Sequence, residues 1–240
     1  MYTYKKNRTI NWSNKAKKVV RMMNDESEIE EPEFEEAEMR VIPDMQSRIN
    51  DFVYRLDNHI YFTSDVTLLH TNLLSKLIYQ ANREYEITKA TIKCGDLQAS
   101  PIYLHIMSNG GDLFCGLRAM DMIENSFVPI YTVIEGYAQS AASLLFLAGK
   151  RRYMTENSYM LIHQLSSQGE NGTYEQLKDN FSNNQILMDK IIDIYHKKSN
   201  GKLTKKKIQE LLKRDLYWDF ATCKSYNLAD ELYKLIPMNN

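Results

Sequence analysis

A chain of 240 residues with 43% hydrophobic, 25% charged and 11% aromatic side chains is long enough to bury a substantial core, as one large domain or two small ones. Its formal net charge of −1 argues against a nucleic-acid binder that works through a basic surface. The composition also excludes a collagen-like chain, a disulfide scaffold and a chain disordered throughout. The three cysteines, Cys94, Cys115 and Cys223, form no C-x-x-C pair, which predicts free buried thiols in a reducing compartment and no structural zinc. The longest apolar stretch, Ser140 to Ala148, is too short to cross a bilayer, and residues 1–20 lack the apolar core of a secretory signal. The expectation is a cytoplasmic protein that needs no cofactor or metal and binds neither nucleic acid nor membrane.

Residues 1–40 differ in composition from the rest. Lys5, Lys6, Arg8, Lys15, Lys17, Lys18 and Arg21 come with no acid before Asp25, and DESEIEEPEFEEAE then follows as an acidic block. Segregated charge of this kind stays solvated, so 1–40 is expected to be a mobile segment or propeptide, with the folded domain over 41–240. An organelle transit peptide is the alternative, for which the segment is short of serine and arginine.

QSRINDFVYRL reads as a short helix, HIYFTSDV as a strand and TLLHTNLLSKLIYQANREY as an amphipathic helix, with apolar residues three and four apart. Residues 84–100 are polar and contain Gly95, which predicts a surface loop. PIYLHIMS is a buried-type strand, SNGGD a turn and LFCGLRAMDMIENS a helix; VPIYTVIEG is a strand and AQSAASLLFLAG a helix. RRYMTENSYMLIHQ gives strand, turn and strand. A long helix follows up to Lys198, stopped at Asn200-Gly201, and then a further helix opens at Thr204. Strands alternating with helices predict an α/β domain with a mostly parallel sheet.

Three junctions fall at one edge of that sheet. The paired glycines of SNGGD, residues 108–112, allow backbone conformations closed to other residues and let a ligand approach the Gly111 N–H. In GYAQSAAS, residues 136–143, Ser140 sits where a helix begins and alanines leave room for a substrate. His163, in YMLIHQ, ends a strand. Each also has a plain structural reading, as a turn, a helix cap and a hydrogen-bonded histidine. Together they match the needs of a serine nucleophile, which requires a base and an oxyanion site close to the reacting atoms. The acid that would orient the imidazole stays open among several carboxylates.

With these motifs in place, the sequence from about Met45 onward resembles the proteolytic subunits of the ATP-dependent Clp protease family. The family's glycine motif stands here as Ser108-Asn109-Gly110-Gly111, its nucleophile motif as Gly136-Tyr137-Ala138-Gln139-Ser140 and its histidine motif as Ile162-His163-Gln164-Leu165. The family's late signature is matched by Tyr226-Asn227-Leu228-Ala229-Asp230, which points to Asp215 as the triad acid and leaves Asp219 as a helix cap. The resemblance implies a Clp protease/crotonase-like fold, a repeated β-β-α superhelix with a protruding handle helix. It further implies a serine endopeptidase with Ser140, His163 and Asp215 as catalytic triad and the backbone N–H groups of Gly111 and Ala141 as oxyanion hole. Implied too is a ring homo-oligomer of stacked heptamers, joined through the handle helix and supplied with unfolded polypeptide by an AAA+ unfoldase.

Departures are Asn109 and Leu165 in place of prolines, Ala141 in place of methionine, Asn227 in place of glycine, and an insertion over 84–100. The alternatives are a viral-type capsid-maturation protease of the same fold, a crotonase-type acyl-CoA enzyme and a non-catalytic ring subunit.

Overall fold

The computed structural model describes residues 52–92, 98–166 and 171–234. The expectation for residues 1–40 therefore lies outside the described residues, as does Cys94. Two strands open the described part, β1 (Val53–Leu56) and β2 (His59–Phe62), paired antiparallel about a turn in which Asp57 takes φ 50°. The helix expected over QSRINDFVYRL is thus corrected in its described part: Val53 to Leu56 is a strand. Helix α1 (Leu68–Ile92) follows, and it continues through much of the segment expected to be a loop. Glu84, Glu86, Lys89 and Ala90 are good helix formers, and Thr88 and Thr91 return their hydroxyls to the carbonyls of Glu84 and Ile87. The loop expectation for 84–100 is therefore wrong up to Ile92.

The chain then runs through β3 (Ile102–Ser108), α2 (Leu113–Glu124), β4 (Ile130–Gln139), α3 (Ala141–Leu147), β5 (Arg151–Met154) and β6 (Tyr159–Ile162). After these come α4 (Tyr174–Lys198), α5 (Lys205–Leu211), β7 (Leu216–Trp218), α6 (Phe220–Ser225) and β8 (Glu231–Leu232). The eight strands among the described residues form one sheet in the order β1-β2-β3-β4-β5-β8, with β6 on β4 and β7 on β6. From β2 to β8 the main path is parallel, as the strand–helix alternation predicts. Strand β4 is long enough to serve two neighbours: Tyr131–Ile134 pair with β5 and Tyr137–Gln139 with β6. That fork carries the end of β4 out to the end of β6, which sets up the site below.

Alternation along the strands sorts the two faces of the sheet. Ile60, Phe62, Leu104 and Ile106 are fully buried together with Leu74 of α1 and the apolar residues of α3, and removing such a side chain from water contributes roughly 1.5–3 kcal/mol each. Helix α2 lies close on α3 because Gly116 has no Cβ; one added there would meet the Ala141 Cβ at 3.1 Å.

The opposite face holds His59, Tyr61, Tyr103, Tyr131, Tyr153 and Tyr233, half-buried against one another. There His105 donates from Nδ1 to Glu135 at 2.7 Å, and its Nε2 meets His59 Nδ1 at 2.8 Å. Burial and the adjacent His105 hold His59 below its ordinary 6.5, and the hydrogen bond from His105 holds Glu135 below its ordinary 4.5. Both shifts have the same consequence. The unfolded chain takes up protons first, so stability is intact above about pH 6.5 and falls as the medium is acidified through the two folded values. Thermal unfolding followed from neutral to mildly acidic pH should show a falling midpoint, with a flatter fall in His59→Gln between pH 6.5 and 5; equal slopes would contradict the assignment.

At the C-terminal end, Asp230 receives Arg152 through Nη2 at 2.7 Å and Nε at 3.2 Å, fixing β8 beside β5. Asn227, where the resemblance has glycine, sits at φ 58°, a left-handed conformation that asparagine tolerates. Of the expected free buried thiols, Cys223 is buried, which pushes it up to about 12, while Cys115 is only half-buried. No helix among the described residues is long and apolar enough to cross a membrane.

Candidate active site

Strand β3 ends at Ser108 and hands the chain to a loop with two unusual conformations, Gly110 at φ 94° and Gly111 at φ 145°. A Cβ on Gly110 would stand 2.6 Å from the Gln139 carbonyl oxygen and 2.7 Å from the Ser140 Cβ, so glycine is what allows the loop to lie against the serine. The loop is tied down by Val66, whose N–H donates to the Gly110 carbonyl at 2.7 Å and whose carbonyl accepts from the Asp112 N–H at 2.8 Å. Gly110 N–H donates to Ser108 Oγ at 3.2 Å. None of these bonds uses the Gly111 N–H. Asp112 then caps α2 by accepting from the Cys115 N–H at 2.7 Å.

At the end of β4 the plain reading of Ser140 as a cap is not met. Its side chain makes no capping bond, and its backbone sits at φ 51°, ψ −124°, a region that costs a non-glycine residue on the order of 1–3 kcal/mol. Strain of this kind persists only when the surroundings impose it. Here the Ser140 N–H donates to the Leu161 carbonyl at 2.9 Å, and the Ser140 carbonyl accepts from the Ser143 hydroxyl at 2.5 Å. Ser143 has thereby given its one proton away, so the Tyr195 hydroxyl, 2.6 Å off, is the donor in their contact. Tyr195 is buried, which raises its phenol above the ordinary value and keeps it protonated. Sequence inspection missed this brace between α4 and the serine, because nothing in the spacing of α4 marks Tyr195 off from its apolar neighbours.

His163 follows β6, whose parallel pairing of Leu161 with Gln139 brings the two strand ends together. Ser140, His163, Gly111 and Ala141 all line one cleft of about 350 Å³, walled also by Phe114, Leu144, Leu187, Ile191 and Tyr195. Four of the five residues named from sequence are thus neighbours at one opening. Asp215 is not among the lining residues; it is exposed, one residue before β7. Its relation to His163 comes from the sheet. Antiparallel β6 and β7 pair Ile162 with Leu216, so continuing the register sets His163 opposite Asp215. Among the described residues no hydrogen bond joins His163 to Asp215 or to Ser140; the imidazole instead donates from Nδ1 to the Gln164 carbonyl at 2.5 Å. That bond leaves Nε2 as the basic nitrogen. Asp219, by contrast, caps α6 by accepting from Thr222, whose hydroxyl and N–H hold the carboxyl below its usual range.

Chemically, the cleft offers a hydroxyl on a strained backbone, an imidazole whose Nε2 is its basic nitrogen and two backbone N–H groups at a loop and a helix start, which is equipment for acyl transfer. Among the described residues no cluster of histidine, cysteine, aspartate or glutamate is arranged to hold a metal ion.

The model of the Clp protease family matches residues 92–235, more than half of the chain. The chain belongs to the Clp protease family. It is 30% identical over 133 residues to the ATP-dependent Clp protease proteolytic subunit of Deinococcus radiodurans, a match that covers 55% of this chain and 64% of that protein. It is 31% identical over 136 residues to the ATP-dependent Clp protease proteolytic subunit 2 of Treponema denticola, covering 56% and 66% of the two chains. Subunit 2 of Borreliella burgdorferi is 30% identical over 134 residues, covering 55% and 66%. The chain thus spans just under two thirds of the length of the curated relatives it matches. The residues matched by the family model, 92–235, include β3, β4 and β6, at whose ends the cleft lies. The mixed sheet with α4 standing after β6 agrees with the expected Clp/crotonase-like fold.

Proposed function

We propose that the protein is a serine endopeptidase that cleaves unfolded polypeptides. The observation that carries this reading is the strained, uncapped Ser140 in one cleft with His163 and two backbone N–H groups. Ser140 Oγ attacks the peptide carbonyl while His163 Nε2 takes its proton, and the oxyanion that forms is held by the N–H groups of Gly111 and Ala141. Breaking the C–N bond returns that proton to the leaving amine, and water, deprotonated by the same imidazole, then hydrolyses the acyl-enzyme. Asp215 would take over from the Gln164 carbonyl as acceptor for Nδ1–H, a change of side-chain partner between two positions facing across β6 and β7. Both acceptors select the tautomer that leaves Nε2 basic, and the carboxylate adds charge stabilisation when the ring is protonated.

Purified protein incubated with an unfolded polypeptide, with the new amino termini mapped by mass spectrometry, should yield peptides. Hydration or thioester hydrolysis of an acyl-CoA without peptide cleavage would overturn this reading in favour of crotonase-type chemistry.

The same proposal includes assembly into a closed ring homo-oligomer, stacked heptamers in the form the family resemblance gives, and delivery of substrate by an AAA+ unfoldase. The names of the relatives point to an ATP-dependent protease, and α4 supports assembly on physical grounds. Its second half is buried through Ile191, Ile192, Ile194 and Tyr195, whereas Tyr174, Leu177, Phe181 and Ile186 in its first half are exposed, Phe181 at 73% and Ile186 at 65%. Water-exposed apolar groups repeated along one helix are what an interface between subunits requires. Phe181→Asp with Ile186→Asp should reduce the native mass to smaller species and lower cleavage of long substrates. An unchanged native mass would remove α4 from the interface.

A further inference from the structure

The cleft around Ser140 carries one feature that the peptidase reading does not use. Among the described residues, Asp112 is the one carboxylate lining it, and no lysine or arginine lines it. Most of the other walls are apolar, with Leu113, Phe114, Leu144, Leu187 and Ile191 among the lining residues. The carboxylate is held in place on two sides. Its main chain is pinned by the Asp112 N–H bond to the Val66 carbonyl at 2.8 Å, and its Oδ1 accepts from the Cys115 N–H at 2.7 Å. The Cys115 thiol also lies against it, kept protonated by burial first and then by its hydrogen bond to this carboxylate. The nearest arginine on the same helix, Arg118, turns its guanidinium to Thr71 Oγ1 at 3.4 Å, and no ion pair involving Asp112 forms among the described residues.

The cap requires only one oxygen and no net charge, since serine, threonine or asparagine caps a helix as well as aspartate does. The helix dipole favours a carboxylate at this N-cap without requiring one, so the charge is free to serve the cleft as well. Asp112 is the residue directly after Gly111, whose N–H faces the developing oxyanion in the reading above. Asp112 is exposed, and a fixed negative charge one residue from that point opposes the negative charge of the transition state through an interaction that salt screens. A cation brought in by the substrate reverses the sign of that interaction. A peptide aligned so that its scissile carbonyl meets Gly111 and Ala141 carries its neighbouring side chains past Asp112, at about 3.3 Å per residue of extended chain.

We propose that Asp112 is a specificity-determining residue that selects peptides with a lysine or arginine side chain beside the scissile bond. The inference rests on the peptidase reading and adds a substrate class to it. Discrimination appears in kcat/KM, because the pairing is fully made only when the scissile carbonyl is seated against the oxyanion donors.

The test uses the full chain in its native assembly and a family of short fluorogenic peptides of one sequence. Lysine, norleucine or glutamate is placed in turn at the two positions on each side of the cleavage point. At one of these positions the wild type should prefer lysine over norleucine and norleucine over glutamate. The lysine-to-glutamate ratio should be about tenfold at low salt and shrink as salt is raised. In Asp112→Asn and Asp112→Ser, which keep a capping group, that ratio should fall to about one. If Asp112 serves only as a cap, the variants will lower all three peptides alike and leave the ratio where it was, which overturns the inference. A wild type that cleaves peptides with no charge preference at any position overturns it as well, while leaving the peptidase reading intact. Failure of the wild type to cleave any peptide, together with failure to cleave an unfolded protein, would overturn the peptidase reading and this inference with it.

Discussion

Replacing Ser140 with alanine should abolish peptide cleavage while the protein keeps its fold. The backbone bonds that hold this position, from the Ser140 N–H to Leu161 and from Ser143 to the Ser140 carbonyl, do not involve the hydroxyl being removed. The side chain makes no capping bond whose loss would destabilise α3. Alanine tolerates φ 51° no better and no worse than serine, so the strain is unchanged and the melting temperature should stay close to that of the wild type. The chemistry, in contrast, loses its nucleophile, and loss of a triad member costs about 10⁴-fold or more in rate. Activity of more than a few per cent in the variant would move the nucleophile elsewhere.

A second substitution should produce a comparable loss by a different route. Gly110→Ala leaves every proposed catalytic group in the chain and yet places a methyl group 2.7 Å from the Ser140 Cβ and 2.6 Å from the Gln139 carbonyl oxygen. Neither neighbour can give way easily. One is the backbone of β4 at its pairing with β6, and the other belongs to a residue already strained. At φ 94° the alanine is also strained in its own right. The loop must lift away, and the Gly111 N–H with it, so peptidase activity should drop by about 10²-fold or more. Stability should drop as well, by roughly 2 kcal/mol, which a urea midpoint would register. Near-normal activity in Gly110→Ala would mean that the close approach of the loop to Ser140 has no part in the chemistry.

The two substitutions also mark what the sequence discloses and what it withholds. Gly110, Gly111, Ser140 and His163 announced themselves by residue type at strand ends, because turns and helix starts restrict the choice of residue locally. The left-handed conformation of Ser140 could not be read in the same way, since it is imposed by the pairing of β4 with β6 and by the bond to Leu161. The helical reading of Phe52 to Leu56 failed for a related reason. Val53 and Leu56 satisfy a helical spacing and a short strand equally well, and the decision is made by partners on β2 that lie beyond any local window. The segment after Arg83 departs from expectation in the opposite direction: its polar character suggests a loop, although most of its polar residues are good helix formers. Strands β7 and β8, each short and with few buried residues, leave too weak a periodic trace to be drawn, and helix α6 is indicated only by the cap at Asp219. Asp215 was placed by resemblance alone, and its position across from His163 comes from the register of a three-residue strand that no pattern in the sequence discloses. Asp112 does not stand out in the sequence, because aspartate before a helix is ordinary; its place on the cleft wall appears only in the fold.

The proposed chemistry rests on Ser140 as an activated nucleophile, and covalent labelling of the purified protein with a fluorophosphonate tests that most directly. The reagent should add one group per chain, on the peptide that contains Ser140, and Ser140→Ala should take up none. Labelling that persists in Ser140→Ala, or a wild type that stays unlabelled in an assembly able to cleave peptides, would contradict it.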